Sequence, residues 1–234
     1  MPAITIPAFA EGAPGVLHAF GTKSAWEPSI HTDRPFQVVS VKQVHGIEAL
    51  LLHSRMTDSE VREAASTKGF DAIITDRPRT WVTVRTADCV PILLMGAECG
   101  VIASVHAGWR GTVGGITGQV IRLMQNVFSC KPGSLRAAIG PSIGPCCYEV
   151  DEPVWAPLKR AFPYWSEVFE ETGQGRGQLN LRRLNRLALE EAGVDTCQIT
   201  EVNLCTACHS ELFCSYRRDG TGTSHMTSGI ARIQ

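Results

Sequence analysis

Six short runs rich in β-branched and aliphatic residues crowd the stretch from 36 to 105: FQVVSV (36–41), IEALLL (47–52), DAIIT (71–75), WVTVRT (81–86), VPILLM (90–95) and GVIASV (100–105). Residues such as Gly, Pro and Asp bound them, as they bound strands. The runs cluster instead of alternating strictly with helices, which favours an α+β fold with a mixed sheet over a doubly wound one. Two sheets facing each other as a mixed β-sandwich, with helices outside in α/β/β/α layers, would hold this many strands. Helical spacing of Ile116, Val120, Leu123 and Val127 predicts a helix over 113–127. LRAAI (135–139), ITEVNL (199–204) and FCSYRR (213–218) read as further strands, and DEPVWAPLKRAF (151–162) and NLRRLNRLALEEAG (180–193) as helices. One domain spanning 1–234 is the expected organisation.

Composition narrows the classes of partner. A formal net charge of −1, with no run of like charge, provides no basic stripe, so no nucleic-acid partner is expected. No segment approaches the roughly 18 consecutive apolar residues of a membrane span. The opening MPAITIPAFAEG lacks the basic and apolar regions of a signal peptide, and a cytoplasmic location is expected. Nine cysteines, an odd number, are therefore read as thiols available for metal, catalysis or packing.

Three segments repeat one design, a polar residue with metal-ligand chemistry at the end of a strand. KQVHG (42–46) ends in His45 and glycine, RTADC (85–89) in Asp88 and Cys89, and SVHAGWRG (104–111) places His106 before a glycine-rich turn. Taken singly, each histidine reads better as a hydrogen-bonded loop residue, and Cys89 as a small core residue. Their recurrence at strand ends is what suggests a site. Two imidazoles and a thiolate are the ligand set of a catalytic zinc, with the fourth position left open and the pKa of a bound water lowered to about 7. Asp88 could orient a ligand or take a proton, and Arg110 could stabilise a developing anion. His₂Cys also suits a single copper. A multicopper array does not fit seven histidines with no His-x-His pair among them. A metal-free alternative makes Cys89 a nucleophile with His45 or His106 as base. CTAC (205–208) lacks the second half of a zinc ribbon, and the pair Cys146–Cys147 is a poor chelator by itself, so these cysteines read as packing thiols.

QVHG, TADCVPILL, HAGWRG, IGPSIGPCCYEV and CTAC…FCSYRRDG-TG, in this order over roughly residues 36 to 224, resemble the YfiH or laccase-domain family, also called multicopper polyphenol oxidase or peptidoglycan editing factor. The resemblance implies an α+β domain with a mixed sandwich between helices, and His45, Cys89 and His106 as both catalytic residues and ligands of zinc, sometimes copper. It further implies a purine nucleoside phosphorylase acting on adenosine, inosine and methylthioadenosine, with adenosine deaminase activity. Its alternatives are an amidase that edits peptidoglycan precursors and, less favoured, a copper-dependent polyphenol oxidase. Its partners would be small molecules: a purine nucleoside and phosphate, or a muropeptide precursor. Gln43, Asp88, Arg110, Arg217 and Arg218 are the candidate substrate-binding residues, the arginines as cationic donors for phosphate. The sequence departs from the family in GTKSAWEPSIHTDRPFQVV (21–39), which keeps little of the usual pocket-walling segment, and at Thr223, where an arginine is expected.

Overall fold

The computed structural model describes residues 3–11, 13, 15–24 and 36–234, so most of the departing N-terminal stretch, 25–35, lies outside the described residues. A six-stranded sheet runs in the order Ile199–Glu201, Leu135–Ile139, Val90–Gly96, Val101–Ala107, Ala72–Thr75 and Ala49–Leu52. Its centre is antiparallel, and the strand pairs at its two edges are parallel. Every residue of Val90–Gly96 and Val101–Ala107 is buried. That two-sided burial is why these runs read as continuously apolar and not as alternating.

A five-stranded sheet, ordered Ala3–Ile4, Val16–Gly21, Met226–Arg232, Thr80–Thr86 and Gln37–Val39, faces it. The two-residue period of the strands divides the interior into two cores. Leu93, Met95, Ile102 and Ile73 pack against Phe20, Val82 and Ile230 between the sheets. Ile92, Leu94, Ala103 and Val105 point the other way, onto the helices Ile116–Phe128 and Leu181–Glu191 through Val120, Met124, Leu184 and Leu189. Fully burying each large aliphatic side chain contributes about 1.5–3 kcal/mol. The helix Asp58–Ser66 packs beside Gln37–Val39 and Ala49–Leu52, its start fixed by a capping box between Thr57 and Glu60. A three-stranded sheet of Glu149–Val150, Arg176–Leu179 and Phe169–Gly173 adds a lobe beside the pocket described below. The α+β sandwich with flanking helices is thus the observed architecture. No helix among the described residues is long and apolar enough to cross a membrane.

Several local expectations are corrected. The helix read as 113–127 is two, Trp109–Val113 and Ile116–Phe128, because Gly114 and Gly115 separate them and Gly115 has φ +85°. FCSYRR is not a strand. The Ser215 side chain accepts from the Arg218 N–H and starts the short helix Tyr216–Asp219, which Gly220 stops at φ +76°. Cys99 and Cys130 are joined in a disulfide with Cα atoms 5.4 Å apart, so not all nine cysteines are thiols. Cys99 lies in the turn before Val101–Ala107 and Cys130 just past the helix Ile116–Phe128, positions that only the packing of helix on sheet brings together.

Candidate functional site

Strand register assembles most of the site. Val90 lies across from Ala107 and Pro91 across from His106, so the preceding residue, Cys89, falls beside Gly108. On the other flank Ala72 pairs with Val105, which brings Asp71 next to His106, and the His106 N–H donates to the Asp71 carbonyl at 2.7 Å. His45 comes from elsewhere. It is not at a strand end, since Gln37–Val39 stops six residues earlier, but in the irregular loop before Ala49–Leu52, with a left-handed φ of +60°.

Asp71 holds these parts in place. Its side chain is fully buried, and its Oδ1 lies 2.7 Å from His106 Nδ1 and accepts the His45 N–H at 2.9 Å. Its Oδ2 accepts the N–H groups of Gly46 at 2.6 Å and Val44 at 3.2 Å. One carboxylate therefore clamps the backbone of the strained His45 turn, orients the His106 ring and turns that ring's Nε2 towards Cys89. Burial works against its charge, but the bonds from His106, Gly46 and His45 hold the carboxyl below its ordinary range.

The donor atoms of His45, Cys89 and His106 all lie within 4.8 Å of one another. Cys89 Sγ is 3.9 Å from His45 Nε2, close to the roughly 3.6 Å edge of a tetrahedron built on Zn–S and Zn–N bonds of usual length. Burial opposes ionisation of Cys89, yet the two imidazoles outweigh it and bring the thiol down to about 7. Burial likewise opposes protonation of His106, while Asp71 and Cys89 raise it to about 9. The donor set and its spacing fit zinc. Gly108 makes the fit close, because a Cβ there would lie 2.9 Å from His45 Cδ2 and 3.0 Å from Cys89 Sγ. Its φ of −72° suits any residue, so the constraint is space alone. Gly108→Ala is expected to push the donors apart and weaken binding of a metal ion there by about tenfold, as read by competition with a chelating dye. Unchanged affinity would mean that the donors are not held this tightly.

The trio opens onto a cavity of about 670 Å³, within the usual size for a small-molecule site. Trp109, Tyr148 and Tyr216 line it with aromatic surface, and Arg85, Arg110 and Arg217 with positive charge. A neighbouring cavity of about 350 Å³ shares Trp109, Tyr148 and Arg217 with it. Arg110 lies 4.4 Å over the Trp109 ring, and Arg217 is 5.2 Å from the Tyr148 ring while donating to the carbonyls of Glu149 and Cys147.

Other candidates sit differently from expectation. Gln43 reaches the cavity wall, but its amide is bonded both ways to the Arg85 backbone, at 2.7 and 2.8 Å. Both oxygens of Asp88 are engaged, one by the Thr206 hydroxyl at 2.6 Å and the other by the Arg217 N–H at 2.7 Å. Arg218 is not among the lining residues. Its guanidinium donates to the carbonyls of Thr206, Ala207 and Phe213 and to the Asp219 carboxylate. Asp71, Arg85, Tyr148 and His225 escaped the sequence reading as site residues. Thr223, where the resemblance implies an arginine, lies on the cavity wall with His225.

Several known proteins are similar to this chain in sequence and in fold. Over 196 residues the chain is 37% identical to the purine nucleoside phosphorylase YlmD of Geobacillus stearothermophilus, covering 83% of this chain and 72% of that protein. It is 35% identical over 201 residues to the adenosine deaminase RL5 of an unknown prokaryotic organism, covering 83% and 75%. The crystal structure of YfiH from Bacillus licheniformis superposes with a TM-score of 0.84 at 28% identity, covering 95% of this chain and 94% of that one. Residues 27–233 match the family described as multi-copper polyphenol oxidoreductase laccase. The chain belongs to this laccase-like YfiH family.

Proposed function

We propose that the protein is a zinc-dependent purine nucleoside phosphorylase with adenosine deaminase activity, its metal held by His45, Cys89 and His106. The observation that carries this reading is the trio itself, oriented by Asp71 and facing a cavity that combines aromatic walls with arginines. A zinc ion there would supply Lewis-acid activation of an oxygen nucleophile or a polarised substrate group. The remaining work falls to side chains. Trp109, Tyr148 and Tyr216 offer faces on which a purine stacks. Arg85, Arg110 and Arg217 offer charge for a phosphate dianion, drawing it against the anomeric carbon while the bond to the purine nitrogen breaks. Deamination uses the same pocket with water as nucleophile and ammonia as leaving group. The two names carried by the relatives, phosphorylase and deaminase, fit one site with two nucleophiles. Polyphenol oxidation by a copper cluster fits poorly, because seven histidines without a His-x-His pair cannot furnish one.

The test is product analysis on adenosine with and without phosphate. Adenine and ribose 1-phosphate are expected when phosphate is present, and inosine and ammonia when it is absent. No product from zinc-loaded protein would contradict the reading, and release of an amino acid from a muropeptide would then favour the amidase.

Zinc loading should depend on pH. With His106 raised to about 9 and Cys89 near 7, zinc entering at neutral pH displaces the His106 proton. Affinity is therefore expected to fall by about tenfold per pH unit from pH 9 down to about 7, and more steeply below, where Cys89 also holds a proton. Dye competition at several pH values reads this slope, and a flat profile would contradict it.

A further inference from the structure

A second group of sulfurs lies behind the pocket wall. Cys146, Cys147, Cys205 and Cys208 place all four Sγ atoms within 4.8 Å of one another. Cys208 Sγ is 3.5 Å from Cys146 Sγ and 3.4 Å from Cys147 Sγ. The edge of a tetrahedral zinc–tetrathiolate is about 3.8 Å, from Zn–S bonds of about 2.3 Å. Cys205 is buried, as the packing thiols expected from sequence would be, but Cys146 and Cys208 are exposed. Nothing in the hydrophobic core requires four sulfurs to meet here.

Backbone pairing brings the two segments together. Ser142 and Cys205 form an isolated parallel bridge, and the Thr206 N–H donates to the Ser142 carbonyl at 3.1 Å. The Gly144 N–H points at Cys205 Sγ from 3.2 Å, and the N–H groups of Ala207 and Cys208 are aimed at the same sulfur. N–H groups converging on the first sulfur of a C-x-x-C turn stabilise a coordinated thiolate. The nearly buried Arg182 lies within electrostatic reach of Cys205 and Cys146 and donates to the carbonyls of Val202 and Leu204 just upstream. A buried cation there would partly offset the net −2 of four thiolates around a divalent ion.

We propose that Cys146, Cys147, Cys205 and Cys208 form a second, structural zinc site that pins two walls of the pocket together. On binding, four sulfur–zinc bonds form and the thiol protons leave to solvent. The site joins the turn carrying Tyr148 to the turn whose Thr206 holds Asp88, and the Cys147 carbonyl also receives the Arg217 guanidinium. It would act as a positioning element remote from the reacting atoms.

Zinc content and X-ray absorption of the full chain test this. The wild type is expected to hold about two zinc ions per chain. A His45→Ala/His106→Ala variant should keep about one, in a sulfur-only shell at about 2.3 Å. A Cys146→Ser/Cys208→Ser variant should lose that shell and keep the other ion. If the cysteine variant does not fold, the absorption spectrum of the histidine variant decides alone. A histidine variant without zinc, or a disulfide from Cys208 to Cys146 or Cys147 in protein kept under reductant, would overturn the proposal. Because the histidine variant removes the trio, failure of the catalytic-zinc reading and failure of this one are separately visible.

Discussion

Cys89→Ala is expected to lower turnover of adenosine by at least about a thousandfold while leaving the fold intact. The magnitude follows from the several kcal/mol that a Lewis acid contributes to a charged transition state, at about 1.4 kcal/mol per tenfold. The fold should tolerate the change because Cys89 is only partly buried and ends a turn, where the loss of one sulfur leaves little cavity. Cys89→Asp separates the two roles open to the residue. A carboxylate can replace a thiolate as a zinc ligand, so partial zinc content and partial turnover are expected. A covalent nucleophile would not survive that exchange with turnover of the same reaction. Wild-type activity in Cys89→Ala, measured beside unchanged thermal unfolding, would remove the thiol from the chemistry altogether.

Asp71→Asn should be the most damaging change outside the three donors. The carboxylate accepts three backbone N–H groups and faces His106 Nδ1, and asparagine offers one acceptor oxygen where two are in use. Its amide group would point N–H at N–H. The His106 ring loses the bond that fixes its tautomer, and the left-handed His45 turn loses the clamp that holds it. Zinc affinity is expected to fall by about 10- to 100-fold. Stability should drop by about 1–3 kcal/mol for a buried group left without a partner. Dye competition and urea unfolding read the two effects separately. Unchanged zinc affinity would mean that His106 is oriented by packing and not by this carboxylate.

Much of this was legible in the chain. Fully buried central strands announce themselves as unbroken apolar runs, and VPILLM and GVIASV do so. The trio showed itself because all three members read as closing strand runs in the sequence. The structure keeps Cys89 and His106 beside strand ends but puts His45 in a loop, and the antiparallel register makes Cys89 a neighbour of the turn after His106. Asp71 was not legible as a site residue. At the head of DAIIT it reads as the boundary of a strand, and its partners lie 25 to 35 positions away in both directions. The aromatic and apolar FCSYRR suggested a strand, but local capping by Ser215 overrode that preference. Arg218 read as a phosphate grip from its charge alone, whereas the curvature of that short helix turns it onto the carbonyls of the 206–213 turn. The four clustered cysteines come from two segments about 60 residues apart, a distance across which spacing rules carry no signal.

The central claim is that the trio holds a catalytic metal, and metal content read beside turnover tests it most directly. Protein purified without added metal is to be analysed for zinc and copper, with adenosine turnover followed before chelation, after chelation and after zinc is returned. The expected result is zinc in the protein, activity lost with its removal from the His45–Cys89–His106 site, and activity regained on reloading. Metal-free protein that turns over adenosine at the full rate would contradict it, and would make Cys89 the nucleophile in its place.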